Sequence, residues 1–196
     1  MAPPSADSPL ILASTSRYRA EALSKLGIRF IQLASGVDES ELGAETPEQR
    51  AIRLSLAKAR AVALEQPDRW VVGSDQVAAC EGRILHKPGS PQANIDQLMS
   101  LSGRQAQFHS GIALVCGSRE LTALDTTRVQ FRRLGRQEVE RYVAREPAHD
   151  CAGGFKVEGL GISLFESIHS EDPSGLVGLP LIALRRLLAA IGLPTP

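Results

Sequence analysis

Short continuous apolar runs along the chain alternate with segments of helical period, a pattern that predicts strands followed by helices. Leu10 to Ala13 is an apolar run suited to a buried strand, and Ser14-Thr15-Ser16 is a polar turn able to cap a helix from about Arg17 to Leu26. Gly27 stands where a helix C-terminus favours a left-handed residue, and Ile28 to Leu33 reads as a second strand. Thr46-Pro47-Glu48-Gln49 is a capping box with proline at the first helical position, and it predicts a helix to about Leu64. Trp70 to Ser74 predicts a strand continuing through Cys80 to a Glu81-Gly82-Arg83 turn and a returning Ile84-Leu85, a hairpin. Ser90-Pro91 opens a helix to about Leu101, and Gln105 to Cys116 and Glu120 to Leu134 predict two or three strands. Arg136 to Arg145 predicts a helix and Gly161 to Phe165 a strand, before Leu176 to Leu179 and Pro180 lead into a final amphipathic helix to Ile191. Such alternation predicts an α/β fold with a mixed sheet. No internal repeat or low-complexity tract interrupts it.

The Pro-, Ser- and Ala-rich residues 1–8 predict a short disordered lead, followed by a single domain over 9–193. With 43% hydrophobic and 22% charged residues among 196, the chain has an ordinary globular composition. Lys and Arg number 22 against 22 Asp and Glu, so the net charge is zero, which argues against a bulk binder of nucleic acid or of an anionic membrane. Aromatic residues make up 4%, so the core is expected from Leu, Val, Ile and Ala. Cys80, Cys116 and Cys151 form no CxxC pair, which disfavours a disulfide framework or a zinc knuckle. The N-terminus has no signal-peptide pattern, and no run of apolar residues is long enough to span a bilayer; a soluble cytoplasmic protein is the expectation.

Several segments carry candidate chemistry, each with a plainer reading beside it. Ser14-Thr15-Ser16-Arg17-Tyr18-Arg19 joins a strand end to a helix N-terminus with two arginines, either an anion site or a simple cap with solvated arginines. Val37-Asp38-Glu39-Ser40-Glu41 is an acidic loop, ordinarily just solvated. Asp75 follows an apolar strand; there it either reaches solvent or is buried and needs a partner, a proton or a metal. Lys87 precedes Pro88 and is biased to extended geometry, so it can project from a loop into a cleft. Lys58, flanked by small residues on the long helix, either snorkels or grips an anion. His86, His109, His149 and His169 share no spacing with one another or with a nucleophile, and read as structural.

Taken together and in order, LASTSRYR, the VDE loop, the KA of the first long helix, GSDQV, KP, CAGGFKVEG and LVGLPL closely resemble the Maf family, from about Leu10 to about Leu188. The resemblance implies a nucleoside triphosphate pyrophosphatase with a mixed twisted sheet flanked by helices and two lobes around a deep cleft, often a homodimer. In that family Tyr18, Gln76 and Glu158 match the branch acting on 7-methyl-GTP: an aromatic residue, a Gln after the aspartate and a Glu in the later loop. The branch for dTTP and UTP looks instead like SGSPRR, ADT and a Gln. Carried residue by residue, the family pattern puts Ser14, Arg19, Lys58 and Lys87 on the phosphates. It puts Glu39 and Asp75 at a divalent cation (Mg²⁺, Mn²⁺ or Co²⁺), with Asp75 as the base. Arg17 departs from the proline usual there, and either loosens that helix start or adds a charge beside the phosphates. The implied reaction is release of pyrophosphate from 7-methyl-GTP, clearing modified nucleotides. A dTTP/UTP pyrophosphatase of the same family, or a nucleotide-binding regulator of septum formation with little turnover, is the alternative.

Overall fold

Seven strands form one mixed sheet, and its central strands change the direction of pairing where the site lies. A computed structural model describes residues 2–5, 7–40 and 42–195; Met1 and Ala6 of the N-terminal lead, Glu41 at the end of the acidic loop, and Pro196 lie outside the described residues. The strands are β1 (Leu10–Leu12), β2 (Phe30–Gln32), β3 (Val71–Cys80), β4 (Arg83–Leu85), β5 (Gln105–Cys116), β6 (Arg119–Phe131) and β7 (Phe165–His169). Their order is β2-β1-β3-β5-β6-β7, with β4 paired to β3 off that path. β1 pairs in parallel with β2 and β3, whereas β3 with β5, β5 with β6 and β6 with β7 are antiparallel. A fully buried β1 of three apolar residues is what a parallel strand covered on both faces requires.

The helices are α1 (Arg17–Ser24), α2 (Pro47–Glu65), α3 (Pro91–Leu101), α4 (Arg136–Arg145) and α5 (Leu181–Ala190). α2 begins with the expected capping box: Thr46 Oγ1 accepts from Gln49 N at 3.3 Å, and the Gln49 side chain accepts from Thr46 N at 3.0 Å. It lies directly on β3 and β5 because those strands present glycines to it. A Cβ on Gly73 would stand 2.1 Å from the Ser55 carbonyl oxygen, and one on Gly111 2.3 Å from that of Ala51.

Alternation along β3 therefore assigns its side chains to two sides. Asp75 shares the Gly73 face and meets α2, while Ser74 and Gln76 face the opposite way, onto the 3₁₀ turn Pro173–Val177 and Gly178. Beneath α2, Ile11, Ala13, Ala59, Val71, Ala113 and Val115 pack as one apolar cluster. On the other face a cluster of Leu10, Leu12, Leu23, Leu114, Leu184 and Leu188 joins the sheet to α1 and α5. A further cluster beside α3 and α4 is aromatic: Phe108, Phe131, Phe155 and Phe165 meet edge to face with centroids 4.7 to 5.9 Å apart. Aliphatic side chains thus predominate at one end of the molecule, around the buried Trp70, while four of the five phenylalanines are spent on the other.

Two expectations need correction. Gly161 to Phe165 is not a strand: Leu160–Leu164 is a 3₁₀ turn, and the strand starts at Phe165. The Gly161 amide is held by Glu146 Oε2 at 3.0 Å and its Cα faces the Lys156 carbonyl, so the backbone folds back before it can enter the sheet. The segment from Glu120 is a single long strand, Arg119–Phe131, ending before Leu134. Among the described residues no helix is long and apolar enough to cross a membrane.

Candidate active site

Asp75 is the fifth residue of a ten-residue strand rather than a residue past its end, and it is buried. Its Oδ1 accepts a 2.6 Å hydrogen bond from Lys58 Nζ, and Lys58 is itself buried on α2. The same ammonium lies 2.7 Å from Glu39 Oε1, so one cation gathers the two carboxylates at a single point. Lys58 therefore grips anions, as one of its two readings required. Burial alone would raise the Glu39 carboxyl, but the Lys58 hydrogen bond and the charges of Lys58, Lys87 and Arg19 outweigh it and hold the group below its ordinary value.

Glu39 stands on an exposed loop that is tied down from α2. Arg50 Nη2 donates to the Glu39 carbonyl at 2.7 Å, and Arg53 Nη2 to that of Ser40 at 3.2 Å. Arg53 in turn grips Glu45 through both carboxylate oxygens, at 2.7 and 2.6 Å, a bidentate pair of fixed geometry. Arg50 stands in none of the sequence motifs, though its spacing from Leu54 and Lys58 puts all three on one helix face turned to the cleft.

Across the cleft, Ser14 lies buried at the end of β1, and Ser16, not Ser14, is the N-cap of α1. Ser14 Oγ accepts from the Ser16 amide at 3.1 Å and from Arg19 Nη1 at 3.4 Å. Arg19 Nε donates to the Gly178 carbonyl at 3.0 Å, which fixes the guanidinium in the lining of the cleft. Burial lowers this guanidinium's pKa, opposed by the fields of Asp75 and Glu39. Ser74 Oγ is 3.0 Å from the same Gly178 carbonyl. Lys87 sits exposed on the rim after β4.

Gln76 lines the cleft, but its Nε2 is engaged by Ser110 Oγ at 3.1 Å and by the carbonyls of Gly175 and Leu176 at 2.8 and 3.2 Å. It positions the 3₁₀ turn that carries Gly178. Tyr18 and Glu158 stand on the wall, from α1 and from the loop after Gly153-Gly154. Glu158 is exposed and makes no hydrogen bond or ion pair with a described residue. All nine residues singled out in the sequence line one cleft of about 990 Å³. Of the histidines, His109 is buried with Nδ1 3.0 Å from Thr126 Oγ1, whereas His86 lines the cleft.

Two carboxylates converging on one cation are hard oxygen donors of the kind Mg²⁺ or Mn²⁺ takes, the remaining positions falling to water and substrate phosphate. No cluster of three or more His, Cys, Asp or Glu able to hold a metal occurs among the described residues. The donor set thus fits a cation shared with a phosphate ligand rather than an all-protein cage.

Comparison with known proteins decides the family. Residues 9–191 match the family model described as Maf-like protein. The chain belongs to the Maf-like family. A relative from Xanthomonas oryzae pv. oryzae, named 7-methyl-GTP pyrophosphatase, is 52% identical over 187 residues, covering 95% of this chain and 98% of the relative. Relatives of the same name from Albidiferax ferrireducens and Bordetella pertussis are each 46% identical, over 186 and 184 residues, covering 94% of this chain and 94% and 92% of theirs. Among solved structures the Staphylococcus aureus Ham1 protein aligns with a TM-score of 0.46 at 20% identity, over 62% of this chain and 71% of that one, too loose a likeness to bear on the Maf-like site.

Proposed function

We propose that this protein hydrolyses the α–β phosphoanhydride of 7-methyl-GTP, yielding 7-methyl-GMP and pyrophosphate. The observation that carries this reading is the meeting of Asp75 and Glu39 on Lys58 in a cleft whose opposite side presents Arg19 and Ser14. That relatives about half identical over nearly the whole chain are named for this activity supports it.

A triphosphate brings close to four negative charges, and Arg19, Lys58 and Lys87, from three separate segments, answer them. Ser14 and the free amides at the start of α1 add neutral donors. Lys58 fixes Asp75 through Oδ1, which leaves Oδ2 to accept a proton from the water that attacks the α-phosphorus. Glu39 and Asp75 would hold a divalent cation (Mg²⁺, Mn²⁺ or Co²⁺), whose charge offsets that of the phosphates. The base is read by Tyr18 and Glu158: N7 methylation gives guanine a positive charge that favours an aromatic face, here Tyr18, while N1–H and N2–H₂ donate to a carboxylate, here Glu158. A homodimer is part of the same family reading, and the cytoplasm is the proposed place of action.

The test is pyrophosphate release with Mg²⁺ or Mn²⁺ from 7-methyl-GTP, GTP, dTTP, UTP and CTP, run beside Asp75→Asn. Turnover of 7-methyl-GTP well above the others, lost in the variant, is expected. Preference for a pyrimidine nucleotide would overturn the base assignment. Binding without turnover of any nucleotide would instead favour a regulator.

A further inference from the structure

The charge that Arg17 brings lies against its neighbour Tyr18. The Arg17 guanidinium carbon lies 4.8 Å from the centroid of the Tyr18 ring, and Nη2 donates to the Tyr18 hydroxyl at 2.9 Å. From the facing loop, Lys156 Nζ stands 5.9 Å from the same centroid, anchored by a hydrogen bond to the Pro147 carbonyl. Nor does Arg17 loosen the helix: α1 still begins at Arg17, with Ser16 Oγ accepting from Arg19 N at 3.4 Å. Tyr18 thus already carries one cation from its own helix and a second from across the cleft.

An aromatic face attracts a cation through its quadrupole, and that attraction is shared when two cations compete for one ring. A base bearing positive charge must displace the Arg17 guanidinium from Tyr18 or accept a like charge beside it. A neutral base loses less, because it has no charge to be repelled. We propose that Arg17 is a specificity-determining residue that restrains the preference of this site for a cationic base over a neutral one. The proposal rests on the reading of Tyr18 as the base platform. It concerns the size of the preference rather than its existence.

The experiment compares kcat/KM for 7-methyl-GTP and GTP, which share a triphosphate and differ in the charge of the base, in the parent, Arg17→Gln and Arg17→Lys. Removing the charge is expected to raise the 7-methyl-GTP/GTP ratio roughly two- to fivefold, the range of an exposed cation–aromatic contact. Arg17→Lys, which keeps the charge, is expected to stay near the parent. Binding of 7-methyl-GMP and GMP, followed by calorimetric titration, should move in the same direction without any need for turnover. A ratio unchanged or lowered in Arg17→Gln overturns the proposal, as does a rise in Arg17→Lys equal to that in Arg17→Gln. Equal losses with both substrates would place Arg17 on the triphosphate and overturn it too. Failure of the underlying reading looks different: the parent itself would not prefer 7-methyl-GTP, and the inference would fall with it.

Discussion

Lys58 Nζ stands 2.6 Å from Asp75 Oδ1, a contact between the middle of α2 and the middle of β3 in which both side chains are less than a tenth exposed. Removing one member of such a pair strands the other charge in a low-dielectric setting, which costs about 3–5 kcal/mol. Lys58→Met should therefore lose most of that stability along with activity. Glu39, whose side chain is 57% exposed, pairs with the same ammonium, yet Glu39→Gln should cost about 1 kcal/mol or less while still lowering activity. Denaturant midpoints separate the cases, and equal destabilisation by the two variants would mean that burial does not set the strength of this pair.

The close seat of α2 on the sheet gives a second expectation. A methyl on Gly73 would meet the Ser55 carbonyl oxygen at 2.1 Å and the Ala59 amide at 2.7 Å, and backbone on both sides cannot yield as a side chain would. Gly73→Ala must push α2 outward and carry Lys58 away from Asp75. Overpacking of a well-packed core costs about 1–3 kcal/mol, and the double backbone clash puts this variant at the top of that range or above. Its thermal midpoint should fall together with kcat. A variant with parental stability and activity would show that α2 does not rest on this glycine.

Glu45 gives a dependence on pH. The Arg53 hydrogen bonds, opposed by burial and aided by the Leu42 amide and the Arg53 and Arg50 charges, lower its carboxyl from 4.5 to about 2. A depressed acid stabilises the fold fully above its unfolded value, and that contribution is lost as pH falls through the folded one. The stability gap between the parent and Glu45→Gln should then be constant near neutrality and close as pH drops from 4.5 towards about 2. Thermal midpoints across that range measure it. A gap still undiminished at about pH 3 would contradict the pairing.

What could be read from the residues divides along physical lines. The capping box at Thr46, the hairpin turn at Glu81-Gly82 and the helix from Pro91 to Leu101 are local signals, and they stand where the chain predicted them. The turn at Leu160–Leu164 looked like a strand because an apolar run does not reveal that Glu146, far back in the chain, captures the Gly161 amide. The candidate residues came together because each stood in an ordered family pattern, but their partners did not show. That Gln76 spends its amide on the carbonyls of Gly175 and Leu176 is a contact between segments distant in sequence, and that Arg50 holds the Glu39 carbonyl depends on how the acidic loop folds back on α2. Spacing along one helix or strand does not encode them.

Glu158 offers the sharpest test of base reading, because its carboxylate lines the cleft with no described residue to satisfy it. A carboxylate accepts from both N1–H and N2–H₂ of a guanine edge. An amide in its place has one accepting oxygen and turns an NH₂ donor against the base's own donors. Charge-assisted hydrogen bonds of this kind contribute about 1.5–3 kcal/mol, so Glu158→Gln should lower kcat/KM for 7-methyl-GTP roughly tenfold to a hundredfold. Pyrimidine nucleotides lack that donor pair, so their slow turnover should hardly change, and the preference for 7-methyl-GTP over UTP and CTP should shrink by about the same factor. The exposed position means that the substitution leaves the core untouched, so the thermal midpoint should match the parent's. Steady-state kinetics with the three nucleotides decide it: equal constants for variant and parent would remove Glu158 from recognition of the base, whereas a uniform loss across all three would move it to the phosphates.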